Sequence, residues 1–329
     1  MHASTRGVIL AIISATSFGV AGPFSKAVLV SGALSPYRLA QFRISGAAVV
    51  LLILVGLGRL RRGRESHRWT RADAGLVVAY GALGFVGVQI CYFIAIDRLP
   101  VGVALLLEYI SVVLVAVYAA VVQHRAQPRA VWIGVALSIA GLVVLTEPWD
   151  GFRLDAIGAL AGAGAAVGCA AYFLLGESGA ARVPALELTA FGAGVGAVVL
   201  ALALPLWSFP YSALGHSARF AGHASPVWLL LCVVVLVGTV LAYAFGMTAL
   251  QYLASPSATV IATLEILVGA VVAWAFLAEH LSGAEIAGGV VILIGVVVVA
   301  ESARLQVPNV GVRVGGVPTT DVVGGKQRR

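Results

Sequence analysis

The chain has 329 residues, of which 60% are hydrophobic and only 11% charged, and its mean hydropathy is +1.02. A soluble chain of this length carries charge on about a quarter of its residues to cover its surface, so no water-soluble fold accommodates this composition. The net charge of +7 does not mark a nucleic-acid-binding protein, because Arg59, Arg61, Arg62, Arg64, Arg68 and Arg71 crowd one short segment between apolar runs. Basic clusters in that position set topology and face anionic lipid. Cys91, Cys169 and Cys232 each fall inside an apolar run. An odd count at such places is no disulfide framework, and no Cys/His spacing suits zinc. Neither a metal nor another cofactor is expected.

At about 20 apolar residues per span, the apolar runs predict ten helices, and backbone polar groups in lipid leave no other regular structure open to them. In chain order they cover 7–30, 37–57, 74–96, 101–122, 130–147, 156–177, 186–207, 226–252, 257–278 and 284–302. The first is too long for a signal-peptide apolar region and contains Lys26, so it is read as retained. Turn chemistry separates the runs at Ser35-Pro36, Leu99-Pro100, Gln127-Pro128, Pro148-Trp149-Asp150-Gly151 and Ser255-Pro256. The Gly/Val/Pro-rich tail, 305–329, is expected to be disordered and cytoplasmic.

Orientation follows from the basic residues. With the N-terminus inside, cytoplasmic segments hold fifteen (Arg6, the six clustered arginines, Arg125, Arg129, Arg182, Arg304, Arg313, Lys326, Arg328 and Arg329), whereas Arg98, Arg153 and Arg219 lie outside. That bias predicts a multi-pass protein of the cell (inner) membrane with both termini cytoplasmic.

The chain also resembles itself. Leu107-Glu108-Tyr109 and Gln123-His124 recur as Leu264-Glu265-Ile266 and Glu279-His280, and Gly134 and Gly141 recur as Gly288 and Gly295. The fold class read from this is an all-α membrane protein of ten transmembrane helices in two inverted five-helix repeats, 1–148 and 149–304. Five is odd, so the second repeat enters the membrane from the opposite side. The arginine-rich loop and its counterpart, 208–225 with one arginine, agree. Inverted repeats around a midplane site suit alternating access.

At Phe24-Ser25-Lys26, Phe42-Arg43, Leu99-Pro100-Val101-Gly102-Val103-Ala104, Leu107-Glu108 and Phe276-Leu277-Ala278-Glu279, the sequence resembles the EamA family of the drug/metabolite transporter superfamily. Within it, the threonine/homoserine (amino-acid) exporter branch is the most similar. Tyr109 and Ile266 stand where many members have proline after the acidic residue, which removes the usual cause of a helix break. The resemblance implies proton-driven export of amino acids or related metabolites. Multidrug efflux, or transport of a nucleobase or sugar derivative, is the alternative within the superfamily. An intramembrane enzyme is disfavoured, since no His-Glu-x-x-His, Gly-x-Ser-x-Gly or paired-aspartate constellation is present. A phosphate-binding loop is missing too, so ATP is not the direct energy source. The expected partners are a small-molecule substrate, protons and lipid; the oligomeric state is left open.

Charges within spans are the informative exceptions, since a central Asp, Lys or Arg costs about 2.5–3.5 kcal/mol. Glu108 and Glu265 fall roughly 10–12 Å from their helix ends at 1.5 Å per residue. Each is a candidate substrate-ammonium or proton site, or a carboxylate neutralised by a neighbouring helix. Gly269 and Ala273 follow Glu265 at helical spacing, which also allows that face to pack on another helix. Lys26, after Gly22-Pro23, suits a substrate carboxylate or snorkels to the interface. Arg43 is favoured as a structural counter-ion to a glutamate. Tyr92, Tyr109, Tyr172, Tyr243 and Trp274 are the aromatic residues at candidate cavity depth, where rings with a polar tip suit an amphipathic metabolite. Glu279 and His280 are read as a solvated pair at a helix end.

Overall fold

In the computed structural model of the chain, the structure describes residues 3–62, 69–147, 155–277 and 282–305. Ten helices there are long and apolar enough to cross a membrane. They are α1 (Ala3–Val30), α2 (Pro36–Arg62), α3 (Arg71–Arg98), α4 in two segments (Val101–Tyr109 and Ser111–Val121), α5 (Arg129–Thr146), α6 (Ala156–Ala180), α7 (Ala185–Ala203), α8 (Val227–Ala249), α9 in two segments (Ser255–Ala262 and Leu264–Leu277) and α10 (Gly283–Leu305). The chain enters at one end of the bundle, called the N face below, and after ten crossings α10 returns to it. Arg64 and Arg68, Pro148 to Arg153, Glu279, His280 and the tail from Gln306 lie outside the described residues. Arg59 to Arg62, expected in a loop, instead continue α2.

Helix starts follow local chemistry. Thr70 and Asp73 form a capping box at the start of α3, the Asp73 N–H donating to Thr70 Oγ1 at 3.2 Å and the Thr70 N–H to Asp73 Oδ2 at 3.0 Å. Ser282 and Glu285 do the same for α10, and Asp155 Oδ1 accepts the Gly158 N–H at 2.7 Å in α6. Such caps satisfy N–H groups that a helix cannot satisfy itself. Prolines 100, 128, 184 and 226 precede α4, α5, α7 and α8, where their missing N–H costs nothing. Pro23 lies inside α1, which stays helical through it.

The all-α architecture holds for all ten spans, and one connection between them is not helical. α7 stops at Ala203, and 206–215 make two short 3-10 turns. A two-stranded antiparallel hairpin, β1 (Ser217–Phe220) and β2 (His223–Pro226), then leads into α8. Pro205 and Pro210 have no N–H to extend a helix, and a positive φ at Ala221 and Gly222 turns the hairpin. The hairpin packs over the far ends of α1 and α9: the Ala221 N–H donates to Phe276 O at 2.9 Å, and the Phe220 ring lies 4.2 Å from Phe24 and 5.6 Å from Phe276 between centroids.

Helices α5 and α10 cross antiparallel. A Cβ at Gly141 would sit 2.6 Å from Gly288 O, and one at Gly295 would sit 3.1 Å from Gly134 O. The four glycines that recur in the sequence thus meet one another, and only a missing side chain permits that approach. Two further features were not foreseen. α3 and α8 each contain a π-helical stretch, Tyr80–Gly87 and Leu236–Leu241. α4 and α9 are each interrupted beside their glutamate. Ile110 N–H turns to Leu107 O and Thr263 N–H to Val260 O, both three residues back. Proline is therefore not required for the interruption; in α9 the Thr263 hydroxyl bonds Val260 O as well, at 2.7 Å, a contact that competes with the helical ladder.

Candidate functional site

The helices surround a cavity of about 640 Å³ lined from α1, α2, α3, α4, α6, α8 and α9. Lys26, Arg43, Tyr92, Glu108, Tyr109, Tyr172, Tyr243 and Glu265 all line it. Trp274 does not: it is 55% exposed on the outer surface of α9, so its reading as a cavity residue is corrected. It lies four positions after Ala270, which does line the cavity, but the second segment of α9 has no buried residue and is a thin wall with one face to the cavity and one outward.

The polar groups are held by close packing. A Cβ at Gly19 of α1 would lie 2.5 Å from the Glu265 carbonyl oxygen, so α1 and α9 approach closely at the carboxylate. The α9 face carrying Gly269 and Ala273 both meets α1, where Gly19 O is 3.5 Å from a Gly269 Cβ, and lines the cavity. The Tyr109 hydroxyl donates to Glu265 Oε1, joining the residue after one glutamate to the other glutamate. Glu108 and Glu265 are partly buried, their exposed part toward the cavity. The counter-ion expected for them does not appear as a direct contact: among the described residues no ion pair within 4 Å joins Arg43 to either carboxylate. Its guanidinium faces the Tyr243 hydroxyl, and its Nε is buried with no hydrogen-bond partner.

Beneath these groups lies an aromatic cluster. Tyr243 stacks on Phe85 at 4.4 Å and takes Phe18 edge-on at 4.9 Å, and Tyr172 meets Tyr243 at 5.5 Å. Sequence reasoning missed Phe18, Gln89 and Cys169, which also line the cavity; nothing in an apolar run distinguishes the face on which they lie.

The cavity is asymmetric along the bundle. Away from the N face its lining reaches the last turn of α1 at Leu29, of α3 at Ile96 and of α9 at Ala273, and the first turn of α2 at Leu39. Toward the N face it stops about two turns short of the ends of α1, α4 and α6, at Ala11, Val112 and Phe173, while on the α8–α9 side it reaches the buried residues Ala249 at the end of α8 and Ala258 in the first turn of α9. Below that level Glu177 of α6 ties three elements together. Its carboxylate accepts from Arg125 Nη1 at 2.6 Å, from the Ser255 N–H at 3.0 Å and from the Ser255 hydroxyl. Arg59 pairs with Glu187 at 2.7 Å, and Arg6 lies over the Tyr252 ring at 5.4 Å.

Ten apolar helices around a cavity lined by two carboxylates and two cations define a multi-pass membrane protein with a polar interior site. The model of the EamA-like transporter family matches residues 5–147 and again 156–300, and the chain belongs to that family. It is 26% identical over 216 residues to "Uncharacterized transporter YvbV" of Bacillus subtilis (strain 168), covering 66% of this chain and 68% of that one. A solved crystal structure shares the fold, with a TM-score of 0.71 at 22% identity over 90% of this chain and 97% of that chain. The protein is a membrane transporter of the drug/metabolite transporter superfamily.

Proposed function

We propose that this transporter is a secondary active exporter of amino acids or related small metabolites, coupled to protons and working by alternating access between two inverted repeats. The observation that carries the reading is the cavity in which two carboxylates, Glu108 and Glu265, and two cations, Lys26 and Arg43, share one wall-to-wall space with tyrosines. A zwitterion has both charges to satisfy, and aromatic and apolar walls suit the rest of an amphipathic metabolite. The antiparallel crossing of α5 and α10 supports the inversion. The N face is cytoplasmic in this reading, so the cavity reaches toward the outside.

Proton-driven flux in proteoliposomes tests the coupling. Glu108→Gln keeps size and hydrogen bonding but fixes a neutral side chain, so gradient-driven transport of amino acids should fall to background while substrate exchange at equal pH persists. Unchanged flux and unchanged dependence on external pH would leave Glu108 a structural residue. Reporter fusions after Arg64 and at the C-terminus should score cytoplasmic and one at His216 external; a cytoplasmic result at His216 would remove the inverted-repeat model.

A further inference from the structure

We infer that Arg43, and not Lys26, anchors the substrate, and that it does so through a carboxylate carried by the substrate. This rests on the cavity being the substrate site. Arg43 is on α2, about two turns from the end of that helix away from the N face, and lines the cavity. Its Nε is buried with no hydrogen-bond partner, and no carboxylate oxygen of the described residues lies within 4 Å of it. The two glutamates of the cavity make no ion pair with it: Glu265 accepts from Tyr109, and Glu108 comes from another wall element, α4, beyond ion-pair distance. The remaining neighbour, Tyr243, offers one hydroxyl to a group with five N–H donors.

A guanidinium placed this deep is costly unless its donors are used. The fork of Nε and one terminal nitrogen matches a planar carboxylate, which accepts two parallel hydrogen bonds. Lys26 is exposed near the end of α1 and sits at the cavity's rim, where a flexible ammonium attracts anions without fixing their geometry. Rim attraction by Lys26 and bidentate capture by Arg43 divide the two cations by role. The ligand class is a small organic carboxylate whose remaining surface faces Phe18, Tyr172 and Tyr243. An organic cation without a carboxylate has no partner for Arg43 and is disfavoured.

The test uses the full-length protein in detergent, with thermal shift and equilibrium dialysis as readouts. The probes are the twenty amino acids and the simple carboxylates acetate, lactate and benzoate, each beside its amide and, for the amino acids, its decarboxylated amine. At least one carboxylate should bind while its amide does not. Arg43→Gln should weaken that binding about tenfold or more, the loss expected for a charge-assisted pair. Arg43→Lys should restore part of it, and Lys26→Gln should weaken it less than Arg43→Gln. The acid-against-amide comparison needs only the parent protein, so it stands if Arg43→Gln fails to fold. Equal binding of acid and amide, parent-like binding by Arg43→Gln, binding of amines alone, or no response to any carboxylate would each overturn the anchor. Simple carboxylates binding through Arg43 while no amino acid does would keep the anchor and remove the amino-acid reading. Amino acids binding equally well to Arg43→Gln would do the reverse.

Discussion

The two ends of the bundle are held together differently. At the N face the ties cross beneath the cavity: Glu177 of α6 receives Arg125, which follows α4, and Ser255, which opens α9. All three of those helices line the cavity, so this contact is a floor. At the far end the ties run around the rim. Arg38 and Gln41 of α2 bond the carbonyls of Leu204 and Pro205 beyond α7, a helix that does not line the cavity. Arg98 pairs with Asp155 at 3.6 Å, Tyr37 meets Phe93 at 5.6 Å, and the hairpin holds α1 to α9. Helices α4 and α9 record the same difference. α4 runs toward the N face and is interrupted two residues after Glu108; α9 runs away from it and is interrupted two residues before Glu265. Both interruptions therefore lie on the N-face side of their carboxylates. Helices related by an exact inversion would carry them on opposite sides, so the two halves differ in shape here as they differ at their ends.

The largest effect is expected where both ends depend on one contact. Gly141→Leu drives a side chain into Gly288 O and the Ile292 backbone, which cannot yield without separating α5 from α10. The cost should be at least about 3 kcal/mol, read as loss of monodisperse protein in detergent; a parent-like melting midpoint would show that the crossing is not a shared seam. Glu177→Ala is the next largest and acts on one end alone. It leaves the Ser255 N–H without its acceptor and frees Arg125, a pair whose exposed arginine adds little by itself. A change of about 2 kcal/mol would shift the balance between closed and open floors roughly thirtyfold. Cys169 lines the cavity above that floor and supplies the measurement. In a Cys91→Ser, Cys232→Ser background, a membrane-impermeant maleimide should reach it from the far side in the parent and from both sides in Glu177→Ala. Identical labelling in the two would dismiss the floor.

Between the ends, Tyr109→Phe removes the hydroxyl that holds Glu265. Losing one hydrogen bond to a charged acceptor, about 1–2 kcal/mol, should slow flux about tenfold with folding intact; full flux would make the contact incidental. Thr70→Ala is the control. It removes the α3 cap, costing about 1 kcal/mol, and should lower the melting midpoint by a few degrees without changing Cys169 labelling from either side.

What the sequence made legible follows from the kind of signal each feature leaves. Ten apolar runs and their breaks are visible because lipid admits little else, and boundary errors arose where side chains extended a helix past the apolar run. Arg59 prolongs α2 by pairing with Glu187 on α7, a partner distant in sequence. The start of α3 was readable from Thr70-x-x-Asp73 but lies before the apolar residues that drew attention. Charges stood out because each is expensive, and Lys26, Arg43, Glu108 and Glu265 share one cavity. The tyrosines and Trp274 stood out only by residue type and depth. Depth along a helix does not say which way a ring points, and Trp274 points outward. Nor does charge alone say which pairs form: the expected Arg43–glutamate contact gives way to Tyr109 on Glu265. The interruptions of α4 and α9 were hidden because proline, their usual marker, is absent from both.

The π-helical stretches fall at matching places in the third and eighth helices. One begins at Tyr80 and the other at Leu236, a separation of 156 positions that equals the separation of His124 from His280 in the sequence. Widened turns of this kind concentrate at functional sites, and both stretches lie in helices that line the cavity. A helix with a wider turn has looser backbone hydrogen bonding there, so these two places are where α3 and α8 can change their winding without breaking.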